Sequence, residues 1–591
     1  MTTEHTWKDH ELHGTPPPLR RTAFAIFLLL CGYGLLAVWG LPQDWTRQAM
    51  EPYHADKHDD STTEPLVESL HPPLYTVTPF VLLLLAIAVL PLIPATEHWW
   101  HLNRNKFCVA GSLGVITLLY YGFFSNIALE GHWPAHYEVT ADAGAFDKIS
   151  VIFGNAIIYE FIPFIVLLFA LYVIAGGIRI EGNFRATPTV NSVIFFIGAF
   201  LASFIGTTGA AMLLIRLLLD INRERTHKVH TVIFFIFTVC NAGGCLTPLG
   251  DPPLFLGYLR GVDFFWTLYL LPYWFLFNGT LILLYFLWDT FWYYPKEARE
   301  TEEPITNIFD TQELRVVKPD VLKKPGIKIT GLKINLPLLL GVIAAVAFLS
   351  PTEPVPVIGT LLFTENGGHP WYFLREAIQL GLAMLSLLLS SHWIRRANAF
   401  CFSAILEVAA LFFGIFLCMQ APLQILSEEG KNVIAFAQSK TGLKEPQIFS
   451  WTTTVLSCWL DNAPTYVVFF EVAKSLQPHT EAELTAELND DGSPKWRQVN
   501  GRLISHEWKS HDGKTRLIPV SGGFIDHIHL IAIALGTVFI GGMTYIANGP
   551  NFMVKAIAEQ SRIKMPSFFG YMVYSCLFLL PLYILITIFF L

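Results

Sequence analysis

The sequence predicts an all-α polytopic membrane protein: about 11 transmembrane helices plus two re-entrant hairpins, in two inverted-topology repeats with broken helices. Three observations predict it. Apolar blocks of spanning length recur along the chain, loop charges alternate from block to block, and two interrupted blocks are each followed by a glycine–proline break.

The 591 residues are 53% hydrophobic and only 15% charged, where a soluble chain carries about a quarter charged residues. The deficit lies in blocks near 22–41, 74–95, 108–129, 150–178, 229–258, 263–292, 335–351, 371–392, 399–421, 524–558 and 567–590. About twenty apolar residues cross the ~30 Å hydrocarbon layer. Arg20 and Arg21 precede a first block too long for a signal-peptide core, so a retained helix is expected. The net charge of −8 is spread over loops and tails without a basic patch, which argues against nucleic acid as a partner. The eight cysteines lie in or beside apolar segments without CxxC spacing, and read as packing residues.

Lysine and arginine near helix ends stay cytoplasmic. Arg104 with Lys106, Arg179 with Arg185, Arg395 with Arg396, and Arg562 with Lys564 therefore mark inner loops. The loop 352–370 has no basic residue, and 131–149 has only Lys148. The alternation sets the N-terminus in the cytoplasm and the C-terminus outside a plasma membrane. The interrupted block 188–218 is flanked by Arg185 and by Arg223, Arg225 and Lys228, so both its ends are cytoplasmic. It reads as a hairpin with Gly206-Thr207-Thr208-Gly209 at its tip. The second interrupted block, 448–473, carries Asp461-Asn462-Ala463-Pro464 and has both ends outside. Backbone of this kind is tolerated at membrane depth only where protein buries it or it lines a cavity.

The chain divides accordingly. Residues 1–73 form a tail, first helix and outer loop; 74–294 form one repeat; 295–334 form a cytoplasmic linker. Residues 335–591 form the second repeat, interrupted by a polar outer insert at 474–523. Each repeat has one helix with an intramembrane acid, Glu160 or Glu407. Ser203, Thr207 and Thr208 align without gaps to Ser457, Asp461 and Asn462. In the broken helices, about 229–258 and 524–558, Thr238, Gly243 and Gly250 align to Thr537, Gly542 and Gly549.

The stretch from Asn241 through Thr247 and Gly250 to Pro253 cannot be one helix, because glycine and paired prolines remove helical hydrogen bonds. Thr544 to Asn551 makes the same break with Asn548 and Asn551 in place of an acid. Free carbonyls and amides at such ends suit cations and anions respectively. Asp251 and Asp461 are the sharpest candidates, since a carboxylate at helix centre costs about 2.5–3.5 kcal/mol unless a cation, a proton or a fixed base compensates it. Asn462 and Ser457 add hard oxygen ligands beside Asp461, as a sodium site requires. Asp461 also suits the cap of the second hairpin arm. Glu160 and Glu407 are candidate proton relays or structural partners of neighbouring groups.

These residues resemble the ion transporter superfamily, and within it the sodium/proton antiporters of the NhaD type and their citrate-transporter relatives. The resemblance covers the chain from about residue 74, leaving out the insert. It implies a scaffold domain that often dimerises and a moving transport domain with two hairpins. By the resemblance the ion-binding serine, aspartate and asparagine fall on Ser457, Asp461 and Asn462, with Asp251 and Asn241 on the broken helix. The antiporters carry an Asp-Asn pair at the first hairpin, where this chain has Thr207-Thr208.

The expected function is sodium/proton antiport, with Asp251 and Asp461 exchanging the two cations. The alternative is sodium- or proton-coupled uptake of citrate or a dicarboxylate, with the threonine tip holding substrate. Two acids repel an anion and no second buried arginine is evident, which favours antiport. Partners are the bilayer, small cations and, in the alternative, a carboxylate anion; no cofactor beyond transported Na⁺ and H⁺ is expected. No GxSxG or HExxH pattern supports an enzyme.

Overall fold

The computed structural model describes residues 19–50, 71–134, 137–182, 184–297, 326–351, 369–398, 400–476, 496–499, 502–505, 517–520 and 523–591. Most of the expected tail, linker and polar insert, and most of the loop 352–370, lie outside the described residues.

The described chain is overwhelmingly helical. Six helices are long and apolar enough to cross a membrane: α1 (Leu19–Val38), Asn103–Phe123, α6 (Ala145–Ala175), α7 (Pro188–Ile205), Phe264–Glu297 and α21 (Phe568–Phe590). Shorter apolar helices cover Leu74–Val89, Val229–Cys245, Leu332–Phe348 and His527–Met543. The expected block at 371–392 is the helix α13 (Leu374–Leu389). Five of the six long helices coincide with blocks among the about 11 spans expected, and the sixth, α7, is an arm of the first interrupted block. The blocks at 74–95, 335–351 and 371–392 form shorter helices, that at 399–421 is bent, and those at 229–258 and 524–558 break in the middle.

Several helices show a bare apolar side that suits lipid. On α7, Val193, Phe196, Ile197 and Phe200 are exposed at the spacing of one helical face, and Val573, Leu577 and Ile588 are exposed on α21. The block expected at 399–421 is α15 (Ser403–Cys418), which bends by 47° into α16 (Gln420–Thr441). The sequence reading had no element at α16. Its Glu428, Glu429, Lys431 and Lys440 make it too polar for a span, yet such residues propagate a helix well.

The strands are four two-stranded antiparallel ribbons. One pairs Arg179–Gly182 with Ile327–Thr330, joining the expected inner loop of Arg179 and Arg185 to the end of the expected inner linker.

Two helix–break–helix units frame the centre. In the first, α7 passes through Gly206 (φ 78°) directly into α8 (Thr207–Ile221). A positive φ of this size is open to glycine at little cost, which allows a one-residue turn. In the second, α17 (Glu445–Trp459) passes through Leu460 and Asp461, both extended, into α18 (Asn462–Ser475). Each unit packs against a broken helix. The first broken helix runs from α9 (Val229–Val239) through a short turn at Ala242–Cys245 to α10 (Pro252–Leu259). The second runs from α19 (His527–Ala534) through Gly541–Met543 to α20 (Gly549–Gln560).

Candidate functional site

The two breaks are stitched to the two tips by the same hydrogen bonds. The Thr207 N–H donates to the Gly250 carbonyl at 2.8 Å, and the Asn462 N–H to the Ala547 carbonyl at 3.2 Å. The Thr247 hydroxyl donates to the Ser203 carbonyl, and the Thr544 hydroxyl to the Cys458 carbonyl at 2.7 Å. Asp251 (φ −142°, ψ 140°) and Asn548 (φ −148°, ψ 135°) precede their helices in nearly the same backbone conformation. These bonds pair Thr207 with Asn462 and Asp251 with Asn548. The gapless alignment, which set Thr207 against Asp461 and Gly250 against Gly549, is therefore displaced by one residue at the tips and two at the breaks. The tips match residue for residue, with four positions from Ser203 to Thr207 and four from Cys458 to Asn462, so Asp461 stands where the first tip has Gly206. The second break is two residues shorter between Thr537 and Thr544 than the first between Thr238 and Thr247.

Asp251 is the centre of the site, 1% exposed. Its Oδ1 accepts from the Thr207 hydroxyl and from Asn548 Nδ2, both at 3.2 Å. Its Oδ2 accepts from Asn462 Nδ2 at 2.9 Å. One carboxylate thus gathers a donor from each tip and one from the opposite break. Among the described residues no lysine, arginine or histidine forms an ion pair with it. Asn462 Oδ1 is buried beside it without a hydrogen-bond partner, and a buried polar atom of this kind invites a ligand or ordered water.

An amide ladder holds this corner in place. Asn241 Nδ2 donates to the Ile236 carbonyl and to Asn551 Oδ1, each at 2.8 Å. Asn551 Nδ2 donates to the carbonyls of Gly541 at 2.8 Å and Thr544 at 3.0 Å. Asn548 Nδ2 also reaches Asn241 Oδ1 at 3.3 Å and the Cys240 carbonyl at 3.1 Å. A Cβ on Gly541 would lie 2.8 Å from Asn241 Oδ1, so the absence of a side chain there lets the two breaks meet.

The other expected residues divide. Asp461 is half-buried and caps α18, accepting from the Ala463 N–H at 3.0 Å. It directly precedes Asn462, the residue bonded to Asp251 Oδ2. Thr208 makes none of the bonds to Asp251. Ser457 is fully buried, but its hydroxyl meets only the Thr537 carbonyl, at 3.5 Å. Thr247 braces the first tip rather than facing Asp251.

Glu407 is at the edge of this picture. It is 45% exposed and paired with Lys106 at 2.5 Å. Glu160 is buried and bound by Arg260, which also donates to Glu471 at 2.6 Å. The expectation that no second buried arginine is evident fails, since Arg225 and Arg395 are 7% and 2% exposed; nearer the site, Arg260 caps α10, the helix that begins at Asp251. Arg260 falls between the apolar blocks 229–258 and 263–292, where the sequence analysis singled out no residue. It stands between two apolar blocks on the side whose loops are otherwise poor in basic residues, and that isolation was the available signal.

Residues 69–591 match the model of a family described as "Putative citrate transport". No curated protein matches the chain.

Proposed function

We propose that this chain, which belongs to the citrate-transport family matched over residues 69–591, takes up citrate or a related di- or tricarboxylate together with a small coupling cation. The family and the membrane-helix architecture are those of a transporter and not of an enzyme. The observation that carries the reading is the buried Asp251 carboxylate, bound by three neutral donors and by no base among the described residues. Such a charge at membrane depth requires compensation, and a sodium ion or proton at Asp251 supplies it. With that cation bound, the site no longer repels a carboxylate, and the amides at the helix breaks offer it donors. Asp461 and Asn462 Oδ1 are the natural further ligands of the cation. In this reading 188–221 and 445–475 are re-entrant hairpins. The repeats 74–294 and 335–591 have opposite topology in the plasma membrane, with the N-terminus inside and the C-terminus outside, and the protein pairs as a homodimer.

Sodium/proton exchange is the second reading, favoured by one observation: Asp461 directly precedes Asn462, whose amide donates to Asp251, so two acids border one site. Two acids so placed can trade a proton for sodium without any anion. The replacement of an acidic tip by Gly206-Thr207 and the family match weigh toward the carboxylate. Reconstituted vesicles separate the two. Labelled citrate uptake driven by an inward sodium or proton gradient, and lost in Asp251→Asn, is the expected result. Sodium-driven proton flux without organic anion, in vesicles that take up no citrate, overturns it in favour of exchange.

A further inference from the structure

Arg260 sits at the end of α10 opposite Asp251, eight helical residues away. That separation is about 12 Å at the rise of an α-helix. Its guanidinium forks. One nitrogen donates to Glu160 Oε1, and the other to Glu471 Oε1 at 2.6 Å. Lys474 approaches Glu471 Oε2 at 3.1 Å. The side chains of Arg260, Glu160 and Glu471 are only 13%, 9% and 8% exposed. With both glutamates ionised, the four groups sum to zero charge.

The two glutamates are not equivalent. Glu471 is held by two cations and shares α18 with Asn462, so it belongs to the elements that build the site. Glu160 is held by one shared cation, and its Oε2 is buried with no partner. It projects from a π-helical turn, Gly154–Phe161, in the middle of α6. Such turns are often found where a side chain is set for a task. Beyond this turn Phe164 of α6 stacks on Phe412 of α15 and also meets Phe255 of α10, at 6.4 Å between ring centroids, so that apart from this apolar contact the fork is the polar link between the two helices. The Glu160–Arg260 bond is therefore an ionic tie between α6 and the helix that begins at Asp251.

We propose that this tie is a proton-operated latch: a proton taken from the aqueous phase onto Glu160 Oε2 breaks the bond to Arg260 and frees the site-bearing α10 and α18 from α6. Arg260 keeps its bond to Glu471, so only one side of the fork opens. The proton returns to water when the bond re-forms, and no other group need change. The tie is present while Glu160 is ionised and is lost as the pH falls through its titration. Among the described residues, further charged and titratable groups surround the fork. Tyr159 on α6 acts on Arg260, and His132, 6.0 Å from the Tyr159 ring, acts on Glu471. Tyr466 of α18 faces Arg260, and Arg375 of α13 is paired with Glu376 and bonded to the Tyr258 hydroxyl of α10 at 3.3 Å.

The latch rests on the transport reading, because the step it controls is movement of the site-bearing helices. Its primary test needs no substrate. In the wild-type protein, amide hydrogen exchange over Pro252–Leu259, corrected for the intrinsic pH dependence, is expected to lose about tenfold of its protection between about pH 8 and about pH 5.5. Glu160→Gln is expected to show the low protection at both pH values, and its uptake rate at the higher pH is expected to rise to the wild-type rate at the lower. Protection in the wild type that does not change with pH overturns the latch, whether or not the variant folds. So does a Glu160→Gln protein that retains the wild-type step. If the vesicles transport no carboxylate, the functional reading fails, while the exchange measurement still decides the latch.

Discussion

Replacing Asp251 with asparagine removes a charge and almost no volume, so it separates the ion-binding role from a structural one. The amide oxygen can keep the Oδ1 bonds from Thr207 and Asn548. Its NH₂ group then faces the Asn462 NH₂ across the former 2.9 Å bond. A flip of Asn462 resolves the clash, because its Oδ1 has no other partner and becomes the acceptor. The net hydrogen-bond loss is then about one bond at most, about 0.5–1.5 kcal/mol. Removal of an uncompensated buried charge offsets it. The ligand-free variant is thus expected to melt within about 1.5 kcal/mol of the wild type, or above it. The response to cation should differ sharply. A cation at a hundred times its Kd stabilises the wild type by about 2.7 kcal/mol, and the variant should lose that shift together with citrate uptake. Melting in detergent with and without sodium or at varied pH, alongside vesicle uptake, provides both readouts. A retained cation shift would refute the assignment. A ligand-free loss of more than about 3 kcal/mol would make Asp251 a structural anchor instead.

Three further perturbations bear on the framework. Asp461→Ala should cost about 1 kcal/mol of stability through the lost cap on Ala463, whereas Asp461→Asn keeps the cap; both should shrink the cation-induced rise in melting midpoint. Gly541→Ala should lower uptake by about tenfold or more while leaving the protein folded, because its Cβ, 2.8 Å from Asn241 Oδ1, displaces the amide ladder; Gly549→Ala, with open space at its Cβ, should transport normally. At the other end of α8, Arg225 makes paired bonds of 2.6 and 2.7 Å to a fully buried Asp289. Arg225→Met should destabilise the protein by about 3–5 kcal/mol in chemical denaturation, because it leaves the buried Asp289 to His230 and Tyr285 alone and also removes the bond to Glu297.

The helical class and the central breaks were legible because both are local. An apolar block announces its length, and Gly250 with Pro252 and Pro253 cannot continue a helix whatever surrounds it. The convergence of Thr207, Asn462 and Asn548 on one carboxylate was legible only as a set of polar residues near breaks. Which donor meets which oxygen depends on how two distant helix pairs dock. Ser457 shows the limit: it stands four residues before Asp461, one turn away on paper, yet the break at Leu460 turns it toward Thr537. Arg260 was missed for a related reason. A charge just outside an apolar block normally reaches water, and nothing in the chain nearby signals that Glu160 and Glu471, far off in sequence, close over it.

The displaced register between the two halves explains why the site carries one central carboxylate and not two. Position for position, the first break offers Asp251 where the second offers Asn548, and the first tip offers Thr207 where the second offers Asn462. Identical halves would set a second carboxylate within hydrogen-bonding reach of the first. At that distance one of the two would have to bind a proton or a cation permanently. With Asn548 in its place, the second break donates to Asp251 at 3.2 Å instead of repelling it. The surviving second acid, Asp461, stands where the first tip has Gly206 and is half-buried beside Asn462. On the proposed function, Asp251 is then the deep charge that the coupling cation neutralises and Asp461 the shallower one beside it, an asymmetry that suits a coupled cycle at a site shared by two otherwise matching halves.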